Sequence, residues 1–221
     1  MTGSAVAAIP FDLDDRMIER TREDGQPRVR VYCLRETAVV IGRGGKPEVE
    51  LNAAAIRADG ARVYKRPGGG CSVVLDPGNL IISVTLPLPG IGGIKGAFDA
   101  ISGWLIAALA ASGVPDVEQR GVSDLTIGDR KIGGSCVYRT RGLLYYSSTL
   151  LVDPDFELID RYLPHPPREP DYRAGRRHRD FLVSLEELGL PRGNADLEYR
   201  LNIILNLRLE ELLQGLASTG D

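Results

Sequence analysis

Two stretches of the chain carry residues whose types and spacing suit chemistry on an anion. The first is Lys65-Arg66-Pro67-Gly68-Gly69-Gly70-Cys71-Ser72, which runs on to the turn Asp76-Pro77-Gly78-Asn79. Glycine permits backbone angles and close approaches that a Cβ forbids, and successive N–H groups in such a loop can converge on an anion. Lys65 and Arg66 place charge beside that nest, and Arg suits bidentate contact with phosphate or carboxylate. A plain glycine-rich hairpin tip has the same composition, and the spacing matches neither the dinucleotide fingerprint nor the Walker loop. The second stretch, residues 123–135, reads as strand, tight turn at Gly128-Asp129, and strand. Lys131 stands just past that turn, followed by Ile132, Gly133, Gly134 and Ser135. From there a lysine can reach across a cleft lined by backbone.

Together these stretches resemble the family of lipoate–protein ligases, octanoyltransferases and biotin ligases, and most of all its lipoate–protein ligase branch. That branch is marked by an Arg-Arg pair, a Ser-Gly-Gly-Gly loop, a His-Asp-x-Gly-Asn turn, then Asn-Asp-Leu and Lys-Ile-x-Gly-Ser-Ala. Here the corresponding residues are Lys65-Arg66, Gly68-Gly69-Gly70-Cys71, Leu75-Asp76-Pro77-Gly78-Asn79, Ser123-Asp124-Leu125 and Lys131-Ile132-Gly133-Gly134-Ser135-Cys136. Val40-Ile41-Gly42-Arg43 and Glu48-Val49-Glu50-Leu51-Asn52 also fit, so the likeness runs from about residue 28 to residue 185.

The resemblance implies a lipoate–protein ligase that uses ATP and Mg2+ to make lipoyl-AMP, then passes the acyl group to a lysine of a lipoyl-carrier domain. The implied carrier is a 2-oxoacid dehydrogenase E2 or a glycine-cleavage H-type protein. Lys131 would be the catalytic cation, bridging the acyl carbonyl oxygen and the phosphate. Asp124 would face the nucleotide and hold the metal. Gly69 and Gly70 would lie against the acyl chain and adenylate, with Arg66, Gly68 and Cys71 in the same wall. Asp76, Gly78 and Asn79 would border the adenine, and Gly134 and Ser135 would complete the lysine motif. The fold implied is α+β, with mixed or antiparallel sheets flanked by helices.

The chain departs from the pattern at several points of one slot. Gly68 replaces Ser or Thr, Cys71 replaces the third glycine of the loop motif, Leu75 replaces His, Cys136 replaces Ala, and Tyr146-Ser147-Ser148-Thr149 replaces His-His-Gly-Thr. Two rival readings therefore stand beside the ligase. One is an ATP-independent octanoyl or lipoyl transferase, which works through a cysteine thiolate; Cys71 and Cys136 are its candidates, without a neighbouring histidine in sequence. The other is a non-catalytic acyl- or carrier-binding module.

Around these motifs the periodicity predicts the elements that must hold them. Helices are expected over 12–24, 48–58, 97–112, 155–163, 181–188 and 195–216, and strands over 28–34, 37–41, 61–64, 72–75, 79–86, 116–119, 123–127, 131–140 and 143–152. A loop is expected over 87–93. Residues 165–179 hold five arginines, two histidines and three prolines. This basic run excludes regular helix and suits pyrophosphate or an acidic carrier surface. The order of elements suggests a sheet with helices packed to one side.

The 221 residues, 43% hydrophobic and 26% charged, suit one domain with a real core. We expect a single catalytic-type domain over residues 1–221 without the accessory C-terminal domain common in the family, with a separate accessory chain as one possible partner. A net charge of −3 gives no global field for nucleic acid. No apolar run is expected to approach the roughly 18 residues of a membrane span, and the start lacks a basic signal region. Cys33, Cys71 and Cys136 form no CxxC or CxxH spacing, which suggests a reducing, cytoplasmic setting and no zinc site.

Overall fold

The computed structural model describes residues 6–88, 93–140, 142–190 and 193–218. Most of the loop expected over 87–93 lies outside them. In chain order the elements are β1 (Ile9–Pro10), α1 (Met17–Asp24), β2 (Arg28–Tyr32), β3 (Ala38–Ile41), α2 (Pro47–Glu50), α3 (Ala53–Asp59), β4 (Arg62–Lys65), β5 (Val73–Leu75), β6 (Asn79–Leu88), α4 (Ile94–Ala111), β7 (Glu118–Arg120), β8 (Asp124–Ile127), β9 (Arg130–Thr140), β10 (Gly142–Leu151), α5 (Phe156–Tyr162), α6 (His178–Phe181), α7 (Asn194–Leu207) and α8 (Leu209–Ser218).

The strands form two sheets. Six pair antiparallel in the order β2-β6-β10-β9-β8-β7, and four form a mixed sheet in the order β1-β4-β3-β5. Alternation decides how the sheets stack. On β6, Leu80, Ile82, Val84 and Leu86 face α4, α7 and α8 in the main core, while Ile81 faces the small sheet. On β3, Ala38 and Val40 meet Ile81, Tyr32 and Tyr64, while Val39 and Ile41 turn outward to α3 and α5. The result is four layers: helices, large sheet, small sheet, helices. The α+β class follows, but the helices cover both outer faces, not one side. Each sheet is buried on both faces and so needs two covers.

Several helix boundaries differ from expectation, each for a local reason. The first helix begins at Met17, because Asp15 and Arg16 sit in the left-handed region at φ 60 and 55. The helix expected over 48–58 breaks at Leu51, which turns extended to bury its side chain; Asn52 then caps α3 by accepting from the Ala55 N–H. The long C-terminal helix breaks at Arg208, whose carbonyl accepts from Trp104 Nε1 at 3.0 Å, so that α7 and α8 both wrap α4. No helix covers 181–188. Instead α6 ends at Phe181, and the Val183 N–H donates to the Lys131 carbonyl at 3.0 Å. Contrary to the membrane expectation, α4 is an 18-residue helix of mean hydropathy 1.4, enough by length and composition for a span. Here it is the core helix, burying Phe98, Ile101, Trp104, Leu105, Ala108 and Leu109.

Candidate active site

The β8–β9 hairpin aims the lysine. Asp124 pairs with Gly134 and Leu125 with Gly133, but Thr126 pairs with Lys131, so Ile132 is an extra residue in the ladder. A bulge of this kind shifts the alternation by one. Leu125 and Ile132 enter the main core, and Lys131 comes to the same face as Asp124. Lys131 Nζ lies 2.6 Å from Asp124 Oδ1, with the two side chains 26% and 11% exposed. The lysine passes directly over Gly134: a Cβ there would stand 3.0 Å from Nζ and 3.1 Å from Cε. Gly134 is therefore the floor beneath the cation. Ser135 is a strut: its N–H and Oγ both donate to the Ser123 carbonyl, at 2.9 and 3.0 Å, and hold the segment that leads into Asp124.

The glycine loop lands two positions further along β9. A Cβ on Gly68 would lie 2.6 Å from Cys136 Sγ, and Gly134 and Cys136 present one face, roughly 7 Å apart. The loop and Lys131 thus lie along one face of β9, the floor of the candidate cleft. The loop also presses on the end of β3. Arg43 N–H donates to the Gly68 carbonyl at 2.8 Å, and a Cβ on Gly42 would meet Gly70 O at 2.1 Å. Arg66 closes the loop from within, donating to the carbonyls of Gly69 (3.1 and 2.7 Å), Cys71 (2.7 Å) and Val40 (3.3 Å). Buried Glu50 pins its far end, accepting from the N–H and Oγ of Ser72, both at 2.8 Å. Gly68 is buried, but Gly69 and Gly70 are exposed, and nothing stands within 4 Å of the Cβ position of Gly69.

Residues 165–181 form a strap over this cleft. At one end the Cys71 thiol meets the Arg168 carbonyl at 3.5 Å. At the other, Tyr172 OH, on a 3-10 turn over Asp171–Arg173, donates to Asp124 Oδ2 at 2.7 Å. Phe181 is the strap's centre, with the Tyr172 ring 5.2 Å away and the guanidinium carbons of Arg173 and Arg176 at 4.9 and 5.3 Å. Much of the basic charge is already paired, Arg173 with Glu169, Arg176 with Asp129 and Arg179 with Glu187, and the rings of His165 and His178 bond to Glu169 and Asp160. The sequence shows a basic run; the fold uses much of it to anchor the strap. Tyr172 and Arg173 were not among the residues singled out from sequence, because nothing local distinguishes them within that run.

Asp76 and Asn79 are placed differently. Asp76 accepts from the Gly78 N–H, Asn79 Nδ2 and the Asp155 N–H, each at 2.7 Å, and both Asp76 and Asn79 are buried. Gly78 lies against the Asp153 carbonyl, 1.8 Å from where a Cβ would stand. These residues build the turn into β6. The side chains of Asp76 and Asn79 are committed to it. Of the thiols, Cys136 is raised by burial and Cys33 is pushed up to about 12 for the same reason. Both histidines are engaged by carboxylates. Among the described residues, no group of three His, Cys, Asp or Glu side chains converges to hold a metal.

A family model of the lipoyl protein ligase A/B catalytic domain matches residues 7–196. The chain belongs to this family. It is 27% identical over 151 residues to a probable lipoate-protein ligase A of Mycoplasma genitalium, covering 68% of this chain and 44% of that one. Its matched part spans less than half the length of curated relatives that it matches. Among solved structures, a bi-partite lipoate protein ligase of Thermoplasma acidophilum, described with its E2 lipoyl domain, has a TM-score of 0.75 at 18% identity, over 97% of this chain and 89% of that one. A lipoate-protein ligase A bound with ATP has a TM-score of 0.73 at 19% identity, over 93% and 85%. These likenesses show a shared fold. As a lipoyl protein ligase A/B domain, the chain has the α+β catalytic architecture of its family.

Proposed function

We propose that this domain is a lipoate–protein ligase that activates lipoate, or a similar short acid, with ATP and passes the acyl group to a lysine of a lipoyl-carrier domain. The observation that carries the reading is the bulge-aimed Lys131, held over Gly134 on the same face of β9 as Cys136, against which Gly68 of the glycine loop rests. The ATP-bound and carrier-paired proteins of the same fold support it.

In the first step a carboxylate oxygen attacks the α-phosphorus, an acyl–phosphate bond forms, and the P–O bond to pyrophosphate breaks. Negative charge grows on the phosphoryl oxygens, and a fixed cation in a partly dehydrated slot stabilises it. Lys131 takes that role by moving from Asp124 to the phosphoryl and acyl oxygens. Tyr172 and the hairpin keep Asp124 in place as it does so. In the second step the carrier amine attacks the acyl carbon, AMP leaves and a proton is lost. Magnesium commonly uses one or two carboxylates plus phosphate oxygens; Asp124 is the carboxylate that suits it here, and the ion would neutralise the leaving pyrophosphate. The transferase reading needs an activated thiolate, and burial of Cys136 opposes one.

Incubation with lipoate, ATP and Mg2+, read by mass spectrometry, tests this: lipoyl-AMP should form. Acyl transfer between carriers without ATP, or a thioester trapped on the chain, would replace the ligase with a transferase.

A further inference from the structure

Arg173 is the strap residue whose contacts are incomplete. Its side chain is 6% exposed. Nε donates to the Arg176 carbonyl at 3.0 Å and lies 3.4 Å from Glu169 Oε2. Glu169 is shared, since its oxygens also meet His165 Nε2 and the Gly175 N–H. Nη2 is buried and has no hydrogen-bond partner. A guanidinium offers five N–H donors in a fixed fork, and buried donors are almost always paired.

The position of this donor gives it meaning. The strap that carries it is bonded on both sides: the Cys71 thiol meets the Arg168 carbonyl at 3.5 Å, and Tyr172 OH donates to Asp124 Oδ2 at 2.7 Å. Asp124 carries Lys131 on one oxygen and Tyr172, the residue before Arg173, on the other. Cys71 ends the glycine loop. Arg173 therefore lies on the segment that joins the lysine side to the glycine loop, its guanidinium over the Phe181 ring and its Nη2 without a hydrogen-bond partner. Burial works against its charge, and an anion arriving beside it would relieve that penalty.

We propose that Arg173 binds an oxyanion of the substrate, donating from Nη2 to a phosphoryl or carboxylate oxygen held between Lys131 and the glycine loop. The proposal rests on reading this cleft as the substrate site; in the ligase it assigns Arg173 to the phosphoryl group.

Equilibrium titration of the whole chain with ATP, adenosine, lipoate and the neutral lipoamide separates the cases. Arg173→Met should weaken ATP at least tenfold and leave adenosine within twofold, with the thermal midpoint measured alongside. Arg173→Lys keeps charge and bulk but loses the fork, and should weaken ATP about threefold, adenosine again unchanged; it carries the test if the Met variant does not fold. Unchanged ATP affinity overturns the proposal and leaves the ligase reading intact. Equal loss of ATP and adenosine also overturns it, because Arg173 would then only hold the strap. If the wild type binds lipoate but not ATP, and Arg173→Met loses lipoate but not lipoamide, the oxyanion is a carboxylate; the proposal stands and the ligase reading falls. A wild type that binds none of the four overturns both.

Discussion

Lys131 and the two glycines beyond it divide the work of one strand between chemistry and structure. Lys131→Met should lose activity by roughly 3 kcal/mol or more, the scale of removing one preorganised donor from a site of developing charge. Lys131→Arg should lose most of it, since the fork is wider and its geometry fixed. The fold should survive both, and full acyl transfer by Lys131→Met would refute the ligase reading. The glycines should separate cleanly. In Gly134→Ala the new methyl meets the flexible end of Lys131, so activity should fall with little change in melting temperature. In Gly133→Ala it meets the Thr149 carbonyl 2.4 Å away, so β9 and β10 must part; a stability loss of roughly 1–3 kcal/mol is expected. Melting curves and initial rates of both variants check this, and the reverse pattern would show that the lysine does not need its floor. The glycines and Lys131 were legible in sequence as a motif. Which glycine serves which purpose was not, because that depends on a bulge at Ile132 and on a carbonyl from the neighbouring strand.

At the scale of elements, the glycine loop and β9 were fitted to each other. Gly68 and Cys136 look like two separate departures from the family pattern when read along the chain. In the fold they are one contact, with the thiol in the space a side chain at residue 68 would fill. Gly68→Ser alone should therefore lift the loop and cost stability, and Cys136→Gly alone should leave a small void. The double variant should recover part of both losses, with a coupling energy of about 0.5–3 kcal/mol in a double-mutant cycle of denaturant melts. Strict additivity would mean the loop does not rest on Cys136. The elements that sequence missed share a cause. The breaks at Leu51 and Arg208, and the extended run after Phe181, are imposed by distant partners such as Trp104 and the Lys131 carbonyl. Periodicity within a window cannot register those partners.

Across the whole molecule, two of the ion pairs contribute to the response to acid. Arg179 holds the Glu187 carboxyl at about 2, down from the ordinary 4.5, and Arg28 holds Asp24 at about 2, down from 3.8. A carboxyl whose folded pKa is depressed stabilises the fold above its unfolded pKa and loses that contribution as pH falls through the folded value. The wild type should melt above Glu187→Gln at pH 6, and the gap should close between about pH 4.5 and 2. A gap that persists unchanged at pH 2 would show that Glu187 acts by packing. The four-layer stack was only partly legible: the unbroken apolar run Ala38-Val39-Val40-Ile41 fits a strand covered on both faces, while the pairing of two separate sheets required the register itself.

The Val183 N–H, bonded to the carbonyl of Lys131 at 3.0 Å, ties the exit of the strap to the backbone of the lysine. That single amide is a gauge of the strap. It becomes free to exchange its proton with solvent only when the strap's exit lifts off β9. In deuterated water its exchange should slow at least tenfold once ATP and lipoate are both bound, while amides of α4 in the core stay as they were. An unaltered rate at Val183 would mean that ligands enter and leave beneath a strap that never opens there.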